Sequence, residues 1–363
     1  MINYKLLTPG PLTTTDTVKR EMMVDHCTWD NDYKQITQKI RSELLEIAHV
    51  SPEEYTAVLM QGSGTFGVES ALTSSVGKDG KVLILSNGAY GERQEDICRH
   101  AGLRYVIRHF HYTQVPDAAA VDRLLEADPE ITHVSMVHSE TTSGILNDIE
   151  SVAKVVKRRG RVFIVDAMSS FGGVEIPVAD WGIDFIISSA NKCIQGVPGF
   201  SFIICRLDEL KKCEGKAVSL SLDLYDQWKG MYDGKWRFTS PTHVVLAFAK
   251  AIEEMKEEGG IPARNKRYSD NEKLLVLEMA KLGYRTYIDE EHQGPIITTF
   301  FYPENCGYTF KEMYEFIKER GYAIYPGKVT EADTFRIGTI GEIYREDIEK
   351  LIAIYKEFLK DKA

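Results

Sequence analysis

The 363-residue sequence has no CxxC pair among its six cysteines (27, 98, 193, 205, 213 and 306), which excludes zinc knuckles and thioredoxin-like redox motifs. It has no run of 18 apolar residues, so no membrane-spanning helix is expected. The start MINYKLLTPG lacks a basic stretch leading into an apolar one, so no secretory leader is expected either. Positive charge is in deficit: 44 Lys and Arg stand against 54 Asp and Glu, a net charge of −10. That balance speaks against nucleic acid as the main partner, because phosphate backbones demand clustered cations. Good solubility is a sufficient reading of it. There is no internal repeat and no low-complexity segment. Six scattered thiols suit a reduced, cytoplasmic protein. His109 and His111 would share one face of a strand, but no third ligand accompanies them, so no metal site is expected.

What the sequence does contain is a regular alternation. YTAVLM (55–60), KVLILS (81–86), HVSMVHS (133–139), RVFIVDA (161–167) and DFIISSA (184–190) are short β-rich runs separated by helical patterns. Strands alternating with helices predict βαβ units and an α/β fold with a mostly parallel central sheet. The runs are apolar on both faces, as a sheet covered by helices on both sides requires. After VVLAFAKAIEEMKEEGG (244–260) the texture changes to a mixture of charged helical and short strand patterns. We therefore expect an N-terminal arm over 1–15, a large α/β domain over 16–250 and a smaller α+β domain over 251–363. Ligands of such sheets bind beyond the carboxyl ends of the strands.

The chemistry-bearing residues stand at those ends. QGSGTFG follows the first strand, and Gly62, Gly64 and Gly67 satisfy G-x-G-x-x-G. The next strand ends LSNG without the acid a dinucleotide ribose needs, and no Gly-Lys-Ser/Thr follows, so neither a dinucleotide site nor a P-loop is supported. An anion cradle at Ser63, Gly64 and Thr65 and an ordinary tight turn both remain open. Asp166 ends a strongly apolar strand, where a carboxylate must be paired or capped; it is either a cap acting through Ser169 or a counter-ion for a protonated heterocycle. Lys192, in SSANKCIQGVPGF, follows the next strand and is either a solvated loop lysine or an imine-forming amine. An anion cradle, an acid for a ring nitrogen and such a lysine together describe pyridoxal 5′-phosphate. Tyr90, in SNGAYGER, would stack on its ring or else be a core tyrosine; Thr141, in HSETTSG, would reach its hydroxyl or else cap a helix.

SSANKCIQGVPGF, VDAMSSFGG, QGSGTFGVES, SNGAYGER, HSETTSG and RIGTIG occur in the order and spacing of the class V aminotransferases, a family of fold-type I PLP-dependent enzymes, and the resemblance covers essentially the whole chain. It implies that Lys192 carries the cofactor and acts in catalysis with Asp166, the partner of the pyridine nitrogen. It implies further that Ser63, Gly64 and Thr65 hold the phosphate, that Tyr90 stacks, and that Thr141 contacts the ring oxygen. Thr239, in RFTSP, resembles a residue that reaches the phosphate of a second subunit, which implies a homodimer with shared active sites. Arg336, in FRIGTIG, matches the arginine that binds the substrate anion. Within the class, LLTPGPLTTTDTVK, DHCTWDNDY, NKCIQGVPGF and KWRFTSPTH resemble the branch that uses 2-aminoethylphosphonate as donor and pyruvate as acceptor. Lys235 or Arg237 would then add positive charge for a dianion.

The nearest rival is an alanine– or serine–glyoxylate transaminase of the same fold. A cysteine desulfurase would need a nucleophilic loop cysteine, and the surroundings of Cys306, YPENCGYTF, do not resemble that loop. Cys193 reads as packing. A non-catalytic relative would not need the lysine, acid and arginine together.

Overall fold

The computed structural model describes residues 4–304 and 306–362; residues 1–3 of the expected arm, and 305 and 363 of the expected C-terminal domain, lie outside the described residues. Seven strands form the central sheet: β1 (Tyr55–Gln61), β2 (Lys81–Ser86), β3 (Arg104–His109), β4 (His133–Val137), β5 (Val162–Asp166), β6 (Phe185–Ser189) and β7 (Phe200–Arg206). Their order across the sheet is β1-β7-β6-β5-β4-β2-β3. All neighbours are parallel except those of β7, which runs antiparallel to both β1 and β6. β7 extends the strand series beyond residues 184–190. Its direction has a simple cause: the connection from Ser189 to Phe200 carries no crossover helix, and a parallel neighbour needs one.

The apolar runs read from the sequence are buried nearly end to end, Ile84, Val134, Phe163 and Ile187 among them. Helices α1 (Gly64–Ser75) and α2 (Ala89–Ala101) follow β1 and β2 directly. Burying each large aliphatic side chain stabilises such a core by about 1.5–3 kcal/mol. This first core runs from Val18 to Ile261.

A second core gathers Leu275, Phe300, Phe335, Ile337, Leu351 and Tyr355 around a four-stranded antiparallel sheet. Its strands are β8 (Arg285–Thr286), β9 (Ile297–Phe301), β10 (Tyr325–Pro326) and β11 (Thr334–Gly338). Helices α3 (Thr242–Glu258) and α4 (Gly260–Lys281) link the two cores. Ala251, Ile252, Met255 and Ile261 still pack into the first core and Leu275 into the second; between α3 and α4 stand Gly259 and Gly260, whose φ values of +110° and +73° favour glycine. The N-terminal segment is laced onto the second unit: Lys5–Leu6 pair in parallel with Tyr322–Ala323, and Leu7 joins the second core.

Candidate active site

Five strands of the central sheet deliver their carboxyl ends to one rim. There the structure encloses a cavity of about 270 Å³ whose lining includes Ser63, Gly64, Thr65, Tyr90, Asp166 and Lys192. Register explains the convergence. Asp166, the last residue of β5, sits between Val137 of β4 and Ile187 of β6, and Lys192 follows three residues after β6 ends.

Ser63 is the N-cap of α1, its side chain makes no capping bond, and Ser63, Gly64 and Thr65 at the start of the helix all line the cavity. Such a terminus is a ready anion site. Gly64 lets the turn pack closely on Met168: a Cβ there would lie 2.2 Å from its sulfur and would displace that side chain. Tyr90 stands in the first turn of α2, half-buried against the cavity. Burial raises its phenol, but the Lys192 and Lys328 ammonium groups and the nearby Thr141 hydroxyl outweigh that, and the net shift is downward. It is a wall of the cavity rather than a core residue.

Asp166 is 5 % exposed and has no ion-pair partner among the described residues. Its Oδ1 accepts a hydrogen bond from Met168 N at 3.0 Å, so the cap acts through Met168 rather than Ser169. Burial pushes the carboxyl up to about 6, with Met168 N, Arg93 and Lys192 opposing and Glu140 reinforcing. The sign of the consequence is fixed by linkage. Folded Asp166 holds its proton to higher pH than unfolded Asp166, so its ionisation costs folding stability above about pH 6 and nothing below about pH 4. The cost is on the order of 3 kcal/mol. The ligand-free Asp166→Asn variant is therefore expected to be more resistant to urea than the parent at pH 7.5, and no more resistant at pH 4. An equal difference at both pH values would refute this assignment.

The Lys192 ammonium donates to the Pro9 carbonyl at 2.5 Å, and a Cβ on Gly10 would lie 2.6 Å from Nζ. The N-terminal segment thus packs directly on the lysine. Burial lowers its pKa, countered by Tyr90, Cys193 and Asp166 and assisted by Arg336. Cys193 itself is inert: burial pushes its thiol up to about 12.

Arg336 lies on β11 and is 4 % exposed. Its Nε donates to the Pro326 carbonyl at 3.0 Å and its Nη1 to the Thr141 carbonyl at 2.7 Å, tying the second unit to the loop after β4. It is buried and forms no ion pair among the described residues. Thr141 is buried beside Tyr90 but does not line the cavity. Thr239 is exposed and outside it, its carbonyl accepting from the Gln61 amide. Arg237 pairs with Asp226 at 2.9 Å and Lys235 lies over the Trp29 ring, so neither reaches this cavity.

Four residues at the site were not singled out from the sequence. Glu140 is fully buried and accepts from Tyr90 N and Thr142 N, fixing the start of α2; burial raises its carboxyl. Arg93 lines the cavity and donates to Thr65 Oγ1 at 3.2 Å, with its guanidinium 4.9 Å from the Tyr90 ring centre. Its position three residues after Tyr90 on a helix was the available signal. Gln94 Nε2 and Ser189 Oγ line the same cavity, buried and without a hydrogen-bond partner among the described residues. Buried orphan donors are costly unless a ligand or water satisfies them. Together with the amide cup, an acid and a lysine, they fit a polar, anionic aromatic cofactor.

The sequence profile of the family described as Aminotransferase class-V matches residues 18–350. The chain is 56% identical over 360 residues to the 2-aminoethylphosphonate–pyruvate transaminase of Lysinibacillus sphaericus (strain C3-41), covering 99% of this chain and 98% of that one. It is 50% identical to a bifunctional phosphonoacetaldehyde hydrolase/aminoethylphosphonate transaminase of Clostridioides difficile (strain 630), covering 98% of this chain and 56% of that one. Among solved structures, an alanine–glyoxylate aminotransferase from Nostoc sp. superposes with a TM-score of 0.91 at 23% identity, covering 99% of this chain and 96% of that one, a likeness of fold.

Proposed function

The chain belongs to the class V aminotransferases, and from that premise we propose that it transfers the amino group of 2-aminoethylphosphonate to pyruvate, yielding phosphonoacetaldehyde and L-alanine. The observation that carries the donor is the full-length likeness, above half identity, to transaminases named for that pair. It favours this reading over a glyoxylate-dependent one, for which only a likeness of fold speaks. The fusion of a relative's transaminase to a phosphonoacetaldehyde hydrolase suits the same product.

The cofactor is pyridoxal 5′-phosphate. When bound, it supplies a carbonyl that captures an amine and a protonated ring that accepts electrons from the neighbouring carbon. In this reading the turn at Ser63, Gly64 and Thr65 receives its phosphate, Tyr90 lies against its ring, Thr141 serves the ring oxygen and Asp166 keeps the ring nitrogen protonated. Lys192 anchors it covalently. As a free amine, Lys192 Nζ would be the group that moves the proton of the donor's amine-bearing carbon. The lowered pKa of Lys192 favours the neutral amine that this task needs. Arg336 holds the substrate anion, its planar fork suiting phosphonate and carboxylate alike. Because donor and acceptor use the site in turn, ping-pong kinetics follow.

We infer a homodimer in which Thr239, exposed on its own subunit, completes the phosphate site of a second copy. We place the enzyme in the cytoplasm on its six free thiols. No described helix is long and apolar enough to cross a membrane. The test of function is a donor competition. Cofactor-loaded protein should form alanine from 2-aminoethylphosphonate and pyruvate faster than it forms glycine from alanine or serine and glyoxylate. The reverse preference would transfer the chain to the glyoxylate branch.

A further inference from the structure

Two cations leave the same hairpin of the second unit, and neither pairs with an acid among the described residues. Arg336 on β11 faces Tyr325 on β10, and its Nε holds the Pro326 carbonyl. Gly327 N then donates to the Thr334 carbonyl at 3.0 Å, and the next residue is Lys328. Its ammonium lies 4.1 Å from the centre of the Tyr90 ring, on the residue that walls the cavity holding Lys192. The segment is anchored on both sides of that lysine. The Gly327 bond fixes one side, and Val329 on the other is buried with Ile145, Tyr287 and Ile288. Glu140, whose carboxyl senses the Lys328 charge, is committed to Tyr90 N and Thr142 N. Positive charge therefore accumulates at Tyr90 beyond what Arg336 alone supplies.

We propose that Lys328 is the second cation for the distal group of the amino donor, and that it selects a phosphonate over a carboxylate; this rests on the function proposed above. A carboxylate has one charge and two oxygens, which one guanidinium fork satisfies. A phosphonate has a third oxygen and a second charge, which call for a further donor. A lysine ammonium, a compact point charge on a flexible stem, meets that need without demanding a planar partner. Pyruvate and alanine make no such demand, so Lys328 acts on one half of the reaction. Lys235 and Arg237, held elsewhere on their own subunit, are not required for it.

The experiment follows each half-reaction separately by the absorbance of the holoenzyme. The second-order rate constants with 2-aminoethylphosphonate and with L-alanine are compared in the parent, Lys328→Gln and Lys328→Arg. Cofactor content and inhibition by methylphosphonate and acetate are measured alongside. Loss of one charged hydrogen bond should lower the phosphonate-to-alanine preference of Lys328→Gln about 10- to 100-fold, weaken methylphosphonate but not acetate, and be largely restored in Lys328→Arg. An unchanged preference, whether both half-reactions fall together or neither does, would overturn the proposal. If the parent itself accepts alanine but not 2-aminoethylphosphonate, the reading of function falls first and this one with it.

Discussion

Replacing Lys192 by alanine is expected to lower turnover by on the order of 10⁴-fold and to end covalent attachment of the cofactor. Both effects follow from one side chain. Lys192 reaches the rim three residues beyond β6 and, among the described residues, is the one lysine lining the cavity, so no other lining residue can serve as anchor or as proton carrier in its place. The variant should still bind pyridoxal 5′-phosphate, because the amide cup, Asp166 and Tyr90 are untouched. Treatment with borohydride followed by intact-mass measurement separates the roles: the parent chain should gain the mass of the reduced cofactor and Lys192→Ala should not. Lys192→Arg should fail equally, since a guanidinium neither forms the link nor gives up its proton. A trapped cofactor in Lys192→Ala would mean that another lysine is the anchor.

The second large effect is expected at Arg336. Its replacement by glutamine should lower kcat/KM for both the phosphonate donor and pyruvate by about 10²–10³-fold, as truncation of a buried charged partner costs 2–5 kcal/mol. Because Arg336 also satisfies the Thr141 and Pro326 carbonyls, some of the loss will appear as lower resistance to heat. Arg336→Lys tests the role of the fork itself: charge is kept, bidentate geometry is lost, and most of the activity should still be missing. If Arg336→Gln affected only the phosphonate, pyruvate would have to bind elsewhere.

The parts of the structure legible in the sequence are those whose physics is local. A run such as KVLILS, apolar on both faces and followed by a turn, can only be an inner strand, and the residue after it must stand at the rim. Asp166, Lys192, Tyr90 and the Ser63–Thr65 turn could be placed by that rule alone. The return strand β7 could not, because its direction depends on the lack of a helix in the preceding loop. Thr239 and Arg336 entered through resemblance, since nothing in their immediate sequence marks them. Arg93, Gln94, Glu140 and Lys328 escaped notice for a common reason: a polar residue on a helix or loop reads as solvated until tertiary contacts show what it faces. Pro9 and Gly10 escaped because the N-terminal segment meets Lys192 only after the chain has crossed both units.

The most direct test of the account is a single turnover without acceptor. The holoenzyme is mixed with excess 2-aminoethylphosphonate, the small molecules are removed and quantified, and pyruvate is then added to the same protein. The account predicts one equivalent of phosphonoacetaldehyde per Lys192-bound cofactor in the first step and one equivalent of L-alanine in the second. Release of aldehyde only when both substrates are present together, or none at all, would contradict it.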